Sequence, residues 1–217
     1  HSLTDLNHST EYLFKAFATT AIGTVDGAVK TFTTLCAAID NFPYTQDFES
    51  SIACWERVTL QGEPTNEHAW TIKDAESIQA TLGSATGNAI YHTWDMGVSG
   101  RLITPTFDLT SLTNPYVKFD YARLSDDVAE GLTIHYRASV EDSWTLLATM
   151  NGTPDQWVLD SIALPNPSET YQIAFVSEGV FGYGVLVDNV TVYDAEEGED
   201  PEPEPCDAPT ALAVNNI

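Results

Sequence analysis

The sequence predicts an all-β fold, a two-sheet sandwich or jelly roll preceded by a β-hairpin. Three observations carry this. Apolar and polar residues alternate with a period of two through most of the patterned chain, turn clusters punctuate it at regular spacing, and no stretch shows an amphipathic-helix period. Short turns near 73–80 are the closest approach to helix. Alternation is the signature of a strand with one face on a core, because successive side chains leave a pleated backbone on opposite sides.

The hairpin comes first. "LNHSTEYLFKAFATTAIGTVDGAVKTFTTL", residues 6–35, reads as two alternating strands around a turn at Val25-Asp26-Gly27. A lone hairpin is marginal in water, so its apolar face needs cover. "DFESSIACWERV", 47–58, follows: as a strand it places Asp47 and Glu49 on one side and Phe48 on the other. "AIYHTW", 89–94, puts Ile90, His92 and Trp94 on one face and Tyr91 and Thr93 on the other. "YVKFDYARL" (116–124) sets Val117, Phe119 and Tyr121 against Lys118 and Asp120, and "LTIHYRAS" and "TYQIAFVS" repeat the pattern. "YGVLVDNVTVY" has the long β-branched run of a central strand. The separators are 83–88, 125–127, 151–154 and 165–167, rich in Gly, Ser, Asn, Asp and Pro.

The strand pattern ends at "DAEEGEDPEPEP", 194–205, a proline-spaced acidic run that cannot bury apolar area and reads as an extended linker. "CDAPTALAV" after it starts a fresh strand. The opening His1-Ser2-Leu3 lacks the charged and apolar regions of a signal peptide, so the chain reads as an excised piece with any export signal missing.

Composition bounds the function. The 217 residues suffice for one core of 150 residues or more plus flanking pieces, and 43% hydrophobic with 11% aromatic content suits a globular protein. Eight Lys and Arg against 32 Asp and Glu leave a formal charge of −24. That excludes nucleic acid, which needs a basic surface to displace counterions. It also excludes adsorption to anionic lipid, and no apolar run approaches the ~20 residues of a membrane insertion. An acidic chain is instead receptive to divalent cations. Of three cysteines, Cys36 and Cys54 fall at neighbouring element boundaries and form the candidate pair, with buried free thiols as the alternative.

An enzyme needs a constellation, and the sequence lacks the zinc, nucleophile-elbow, phosphate-loop and dinucleotide motifs. His68, His92 and His135 are dispersed along strands and read as surface or edge histidines. Jelly rolls do host glycosidases, whose two carboxylates are defined by separation in space rather than sequence. Binding is the better reading. "IYHTWDMG" gathers His92, Trp94 and Asp95 after a glycine-rich turn, and a flat aromatic beside hydrogen-bonding groups is what a sugar surface needs. Trp94 is the leading ligand-contact residue, with His92, Asp95 and Trp144 beside it. Trp55, Trp70 and Trp157 read as core.

Two resemblances extend this reading. Leu6, Thr10 and Tyr12 resemble the tyrosine-corner pattern of fibronectin type III domains, "AVKTFTTL" (28–35) resembles that family's last strand, and "APTALAV" (208–214) the opening of a further copy. Between them, residues 42 to 193 resemble the MAM-like jelly rolls called cleaved-adhesin or choice-of-anchor domains, as in gingipain haemagglutinin/adhesin modules. "FPYTQDFESSIACW", "HAWTI", "GRLITPTFDL", "YVKFDYA", "QWVLDSIAL", "TYQIAFVS" and "VLVDNVTVY" carry the match, in order. The implied division is 1–37 as the end of one fibronectin-like domain, 42–194 as the jelly roll, 195–205 as linker and 206–217 as the start of a second fibronectin-like domain. The family also implies a structural calcium held by Asp47, Glu49 and Asp188, with Asn189 where relatives often carry a second acid; the loop at Asn66-Glu67 offers further oxygens. The resulting expectation is a secreted or cell-surface, non-catalytic adhesion module. Its partners would be carbohydrate or a host or matrix protein, besides other domains of its parent chain. The alternatives are a carbohydrate-binding accessory to a hydrolase or protease, and a structural spacer.

Overall fold

The computed structural model describes residues 3–4, 6–50, 52–65, 67–78, 87–93, 95–124, 131–153, 155–179 and 183–195. Fifteen strands and one helical turn account for the ordered elements among them. The first four strands stand apart. β1 (Glu11–Phe14) pairs with β4 (Lys30–Thr33), and β2 (Phe17–Thr20) with β3 (Gly23–Asp26). The two pairs form one long hairpin bent at Lys15-Ala16 and Gly27, where the Gly27 N–H donates to the Ala16 carbonyl and Lys15 meets Asp26 at 2.7 Å. Its tip is Ala21-Ile22, not the expected Val25-Asp26-Gly27, which forms the second bend. The Asn7 N–H donates to the Tyr12 hydroxyl at 2.8 Å, the backbone bond that a tyrosine corner requires.

The remaining strands build an antiparallel sandwich. The first sheet runs β13 (Trp157–Ala163), β10 (Pro115–Arg123), β15 (Val185–Asp194), β8 (Asn88–His92), β7 (Trp70–Asp74), and β5 (Tyr44–Gln46) also pairs with β15. The second runs β12 (Thr145–Met150), β11 (Gly131–Arg137), β14 (Gln172–Glu178), β9 (Ser99–Ile103), β6 (Glu56–Gln61). Val117, Phe119, Tyr121, Val185, Val187, Val190 and Val192 of the first sheet meet Leu102, Leu132, Ile134, Ile173 and Phe175 of the second in one buried core. The long runs of 116–124, 132–139, 170–177 and 183–193 are thus the strands the alternation predicts, and β15 is central. The helical turn α1 (Ala75–Ile78) covers a second small core on the outer side of the first sheet, formed by Ala75, Ala89, Tyr91, Ala122, Leu124 and Leu186.

Cys36 and Cys54 form a disulfide with Cα atoms 5.9 Å apart, tying the hairpin's exit to the turn before β6. Backbone pairing with the sandwich begins just beyond it, where the Ile39 N–H donates to the Thr106 carbonyl. β1 to β4 pair only with one another, and Leu13, Phe14, Phe17, Ile22, Val25, Val29 and Leu35 stay exposed. The sandwich core therefore draws little from the hairpin. Deleting residues 1–37, with Cys54→Ser, is expected to leave one cooperative unfolding transition by circular dichroism. Loss of that transition would place the domain boundary elsewhere.

Candidate functional site

Two clusters lie on opposite outer faces of the sandwich. The first surrounds Asp188. β8 pairs with Val185 to Val187 of β15 and β5 with Val190 to Val192, along one edge, so a gap opens beside Asp188-Asn189. On the other edge Asp120 of β10 lies opposite Asp188, and the register slips so that Asn189 and Val190 together face Phe119. Asn189 takes a left-handed φ of 50° at this bulge, and its amide donates to Asp120 at 2.9 Å. Because Phe119, Tyr121 and Val187 point into the core, Asp120 and Asp188 point outward.

The segment after β5 fills the gap. It is not the strand expected of "DFE": Phe48 has φ 53°, its N–H donates to the Gln46 side chain, and the Glu49 N–H donates to Asp47. The turn still drives Phe48 fully inward against Trp55, with ring centroids 5.4 Å apart. It leaves Asp47 and Glu49 toward Asp188. Glu49 accepts the Asn88 N–H at 2.7 Å, and a side chain at Gly87 would occupy the space of that carboxylate. Burial first, and then the charges of Asp120, Glu49 and Asp47, push the Asp188 carboxyl up to about 7 against the lowering bond from its neighbour's N–H. Asp120 is the member that sequence reading missed.

Among the described residues, no three acidic, His or Cys side chains are already drawn together at metal-ligand spacing. The oxygen donor set nonetheless suits calcium, because the crowded carboxylates around Asp188 share an electrostatic cost that a divalent cation would cancel. Asn66 lies outside the described residues.

The expected ligand residues do not gather. Trp94 lies outside the described residues. His92 is fully buried, edge-on to Trp70 at 5.0 Å, and burial lowers its pKa to about 4, so it is a neutral core residue and not a surface contact. Both faces of β8 are covered, the His92 side by the main core and the Tyr91 side by the second one. Asp95 binds the Thr65 N–H and hydroxyl at 2.7 and 2.9 Å and so locks one loop to another. Trp55 and Trp70 are buried, and Trp157 is half-buried against the second core.

Trp144 is half-buried just before β12, and two guanidiniums lie over its ring: Arg137 at 4.6 Å and Arg101 at 5.0 Å from the centroid. Leu102, Ile134 and Phe175 point inward, so Arg101, His135 and Arg137 share the outer face of the second sheet. A groove of about 540 Å³ on the first sheet is lined by Phe42, Thr45, Lys118 and Tyr193 among others.

No family model matches the sequence, and no curated protein does. Solved structures do. The K1 cleaved adhesin domain of Lys-gingipain from Porphyromonas gingivalis W83 superposes with a TM-score of 0.54 at 18% identity, covering 72% of this chain and 100% of that one. The K2 cleaved adhesin domain of Lys-gingipain gives 0.53 at 14% identity, over 71% and 99%. TmCBM61, solved with β-1,4-galactotriose, gives 0.50 at 13% identity, over 69% and 94%. At these identities the likeness is one of fold. The chain therefore has the jelly-roll β-sandwich fold that these cleaved adhesin and carbohydrate-binding domains share.

Proposed function

We propose that this chain is a non-catalytic, secreted or cell-surface binding module that recognises carbohydrate or a host or matrix protein, in a sandwich stabilised by calcium. The observation that carries the reading is Trp144, a half-buried indole set among Arg101, Arg137 and His135 on one outer sheet face. An indole flanked by guanidinium and imidazole donors offers a shallow surface the directional contacts that a polyhydroxylated ligand needs. The fold agrees with this use, since one similar structure is a carbohydrate-binding module and two are adhesin domains. Calcium would be held by Asp47, Glu49, Asp120 and Asp188, with the Asn189 amide close by. It would fix β5, β8 and β10 around the bulge of β15, and take no part in chemistry.

Glycan-array binding with and without calcium tests the proposal. Trp144→Ala is expected to lower capture at least tenfold while leaving the melting temperature within a few degrees, because a half-exposed ring gives up few packing contacts. The same glycans should be recovered uncleaved. Unchanged capture by the variant would remove the second sheet as the binding face.

A further inference from the structure

The Trp144 surface combines features that a neutral-sugar platform does not need. Arg101 and Arg137 are two of only eight basic residues in a chain with 32 acids, yet neither forms an ion pair among the described residues. Glu141 and Asp142 stand in the loop just before Trp144 and pair with neither. Burial and then the adjacent charge of Arg137 hold Arg101 below its usual range, and burial followed by Arg101 lowers His135, which favours the neutral imidazole. No carboxylate contributes to either shift.

The two guanidiniums are held differently. Arg137 is fixed from behind: its Nε and Nη2 donate to the Gln172 side-chain oxygen and its Nη1 to the Val140 carbonyl. Gln172 is itself buried and donates to the Thr104 carbonyl. The Arg101 side chain makes no hydrogen bond among the described residues, and its Nε is buried without an acceptor. A buried donor without a partner is destabilising, and two like charges over one indole add repulsion. An anion at the solvent-facing ends of the two guanidiniums would offset that repulsion.

We propose that Arg101, Arg137 and Trp144 form a site for a uronic acid residue in an otherwise neutral glycan, the guanidiniums taking its carboxylate. This rests on the glycan-binding reading above and gives it a ligand class. A planar carboxylate matches the fork of guanidinium donors. Trp144 contacts both guanidiniums, at 5.0 and 4.6 Å from its centroid, and so ties them to one indole. The net charge of −24 selects the rest of the ligand. A densely charged polyanion or acidic protein meets repulsion from the whole molecule, whereas a single carboxylate on a neutral chain meets mainly the local pair, screened from distant acids over about 8 Å at physiological salt.

The test uses neutral oligosaccharides each carrying one glucuronic or galacturonic acid residue, beside the same compounds after carboxyl reduction. The acid form is expected to bind at least tenfold more tightly by titration calorimetry, and added salt should narrow the gap. Arg101→Gln, which gives up no hydrogen bond, and Arg137→Gln should each abolish the preference, with folding checked by thermal melting. Equal affinity for acid and reduced forms overturns the inference while leaving glycan binding intact. Tight binding of singly sulfated analogues in place of the uronates overturns the carboxylate assignment. Failure to capture any glycan overturns the reading beneath it. Should a variant not fold, the acid preference of the unaltered protein and its salt dependence decide alone.

Discussion

Phe119→Ala is expected to cost about 3–5 kcal/mol of unfolding free energy, the range for truncating a fully buried aromatic side chain. Phe119 is completely buried in β10. It meets Phe175 of the opposite sheet edge-on at 5.1 Å and lies 5.9 Å from Tyr121. Its loss removes the aromatic contact between the sheets at their centre and leaves a cavity whose lining belongs to both. Because a domain of this size has only about 5–15 kcal/mol in total, the variant should be marginal at 37 °C. Phe119 also faces Asn189 and Val190 across the bulge, so the same change should loosen the backbone that aims Asp188. Urea unfolding measures the first effect as a lower midpoint at unchanged slope. A loss below about 1 kcal/mol would mean that the sheets are held elsewhere.

The strands were legible because burial writes itself into alternation. Val117, Phe119 and Tyr121, or Ile173 and Phe175, recur at every second position wherever a single face meets the core. Legibility failed where both faces are covered. In β8 the alternation joins Ile90 with His92 correctly, but a polar ring on that face reads as accessible when the main core seals it edge-on to Trp70, and nothing in the pattern reveals the second core on the Tyr91 face. "DFE" shows a different limit. A strand and a left-handed turn at Phe48 both send Phe48 one way and the two acids the other, and only the turn brings those acids to β15. Asp120 and the Arg101–Trp144–Arg137 group depend on register between strands far apart in sequence. Local pattern carries no such signal, although an arginine is conspicuous in so acidic a chain.

Removing calcium is expected to cost up to about 4 kcal/mol, the linkage free energy when the free ion is about a thousandfold above its Kd and binds the folded state alone. The pH dependence distinguishes this from general screening of the −24 charge. Without the cation Asp188 titrates near 7 in the folded protein and near 3.9 when unfolded. The folded state thus keeps a proton that the unfolded chain has released. This group's contribution is fully present below pH ~4 and is lost as pH rises through 7. Asp188 is partly solvated, so the loss is about 1–2 kcal/mol and not the ~4 kcal/mol that the whole shift would represent. Calcium takes the proton's place, so the stabilisation it gives should grow from pH 5 to pH 8. Asp188→Asn should melt higher than the unaltered protein in chelator at pH 8, because the neutral amide lacks the repelled charge, and should respond little to calcium. Magnesium at equal ionic strength serves as the control, since it favours a tighter octahedral shell and keeps its waters. Melting temperatures in chelator, magnesium and 1 mM calcium at both pH values give the answer. A calcium response that magnesium reproduces, or that Asp188→Asn retains in full, would reduce the cluster to solvated surface acids.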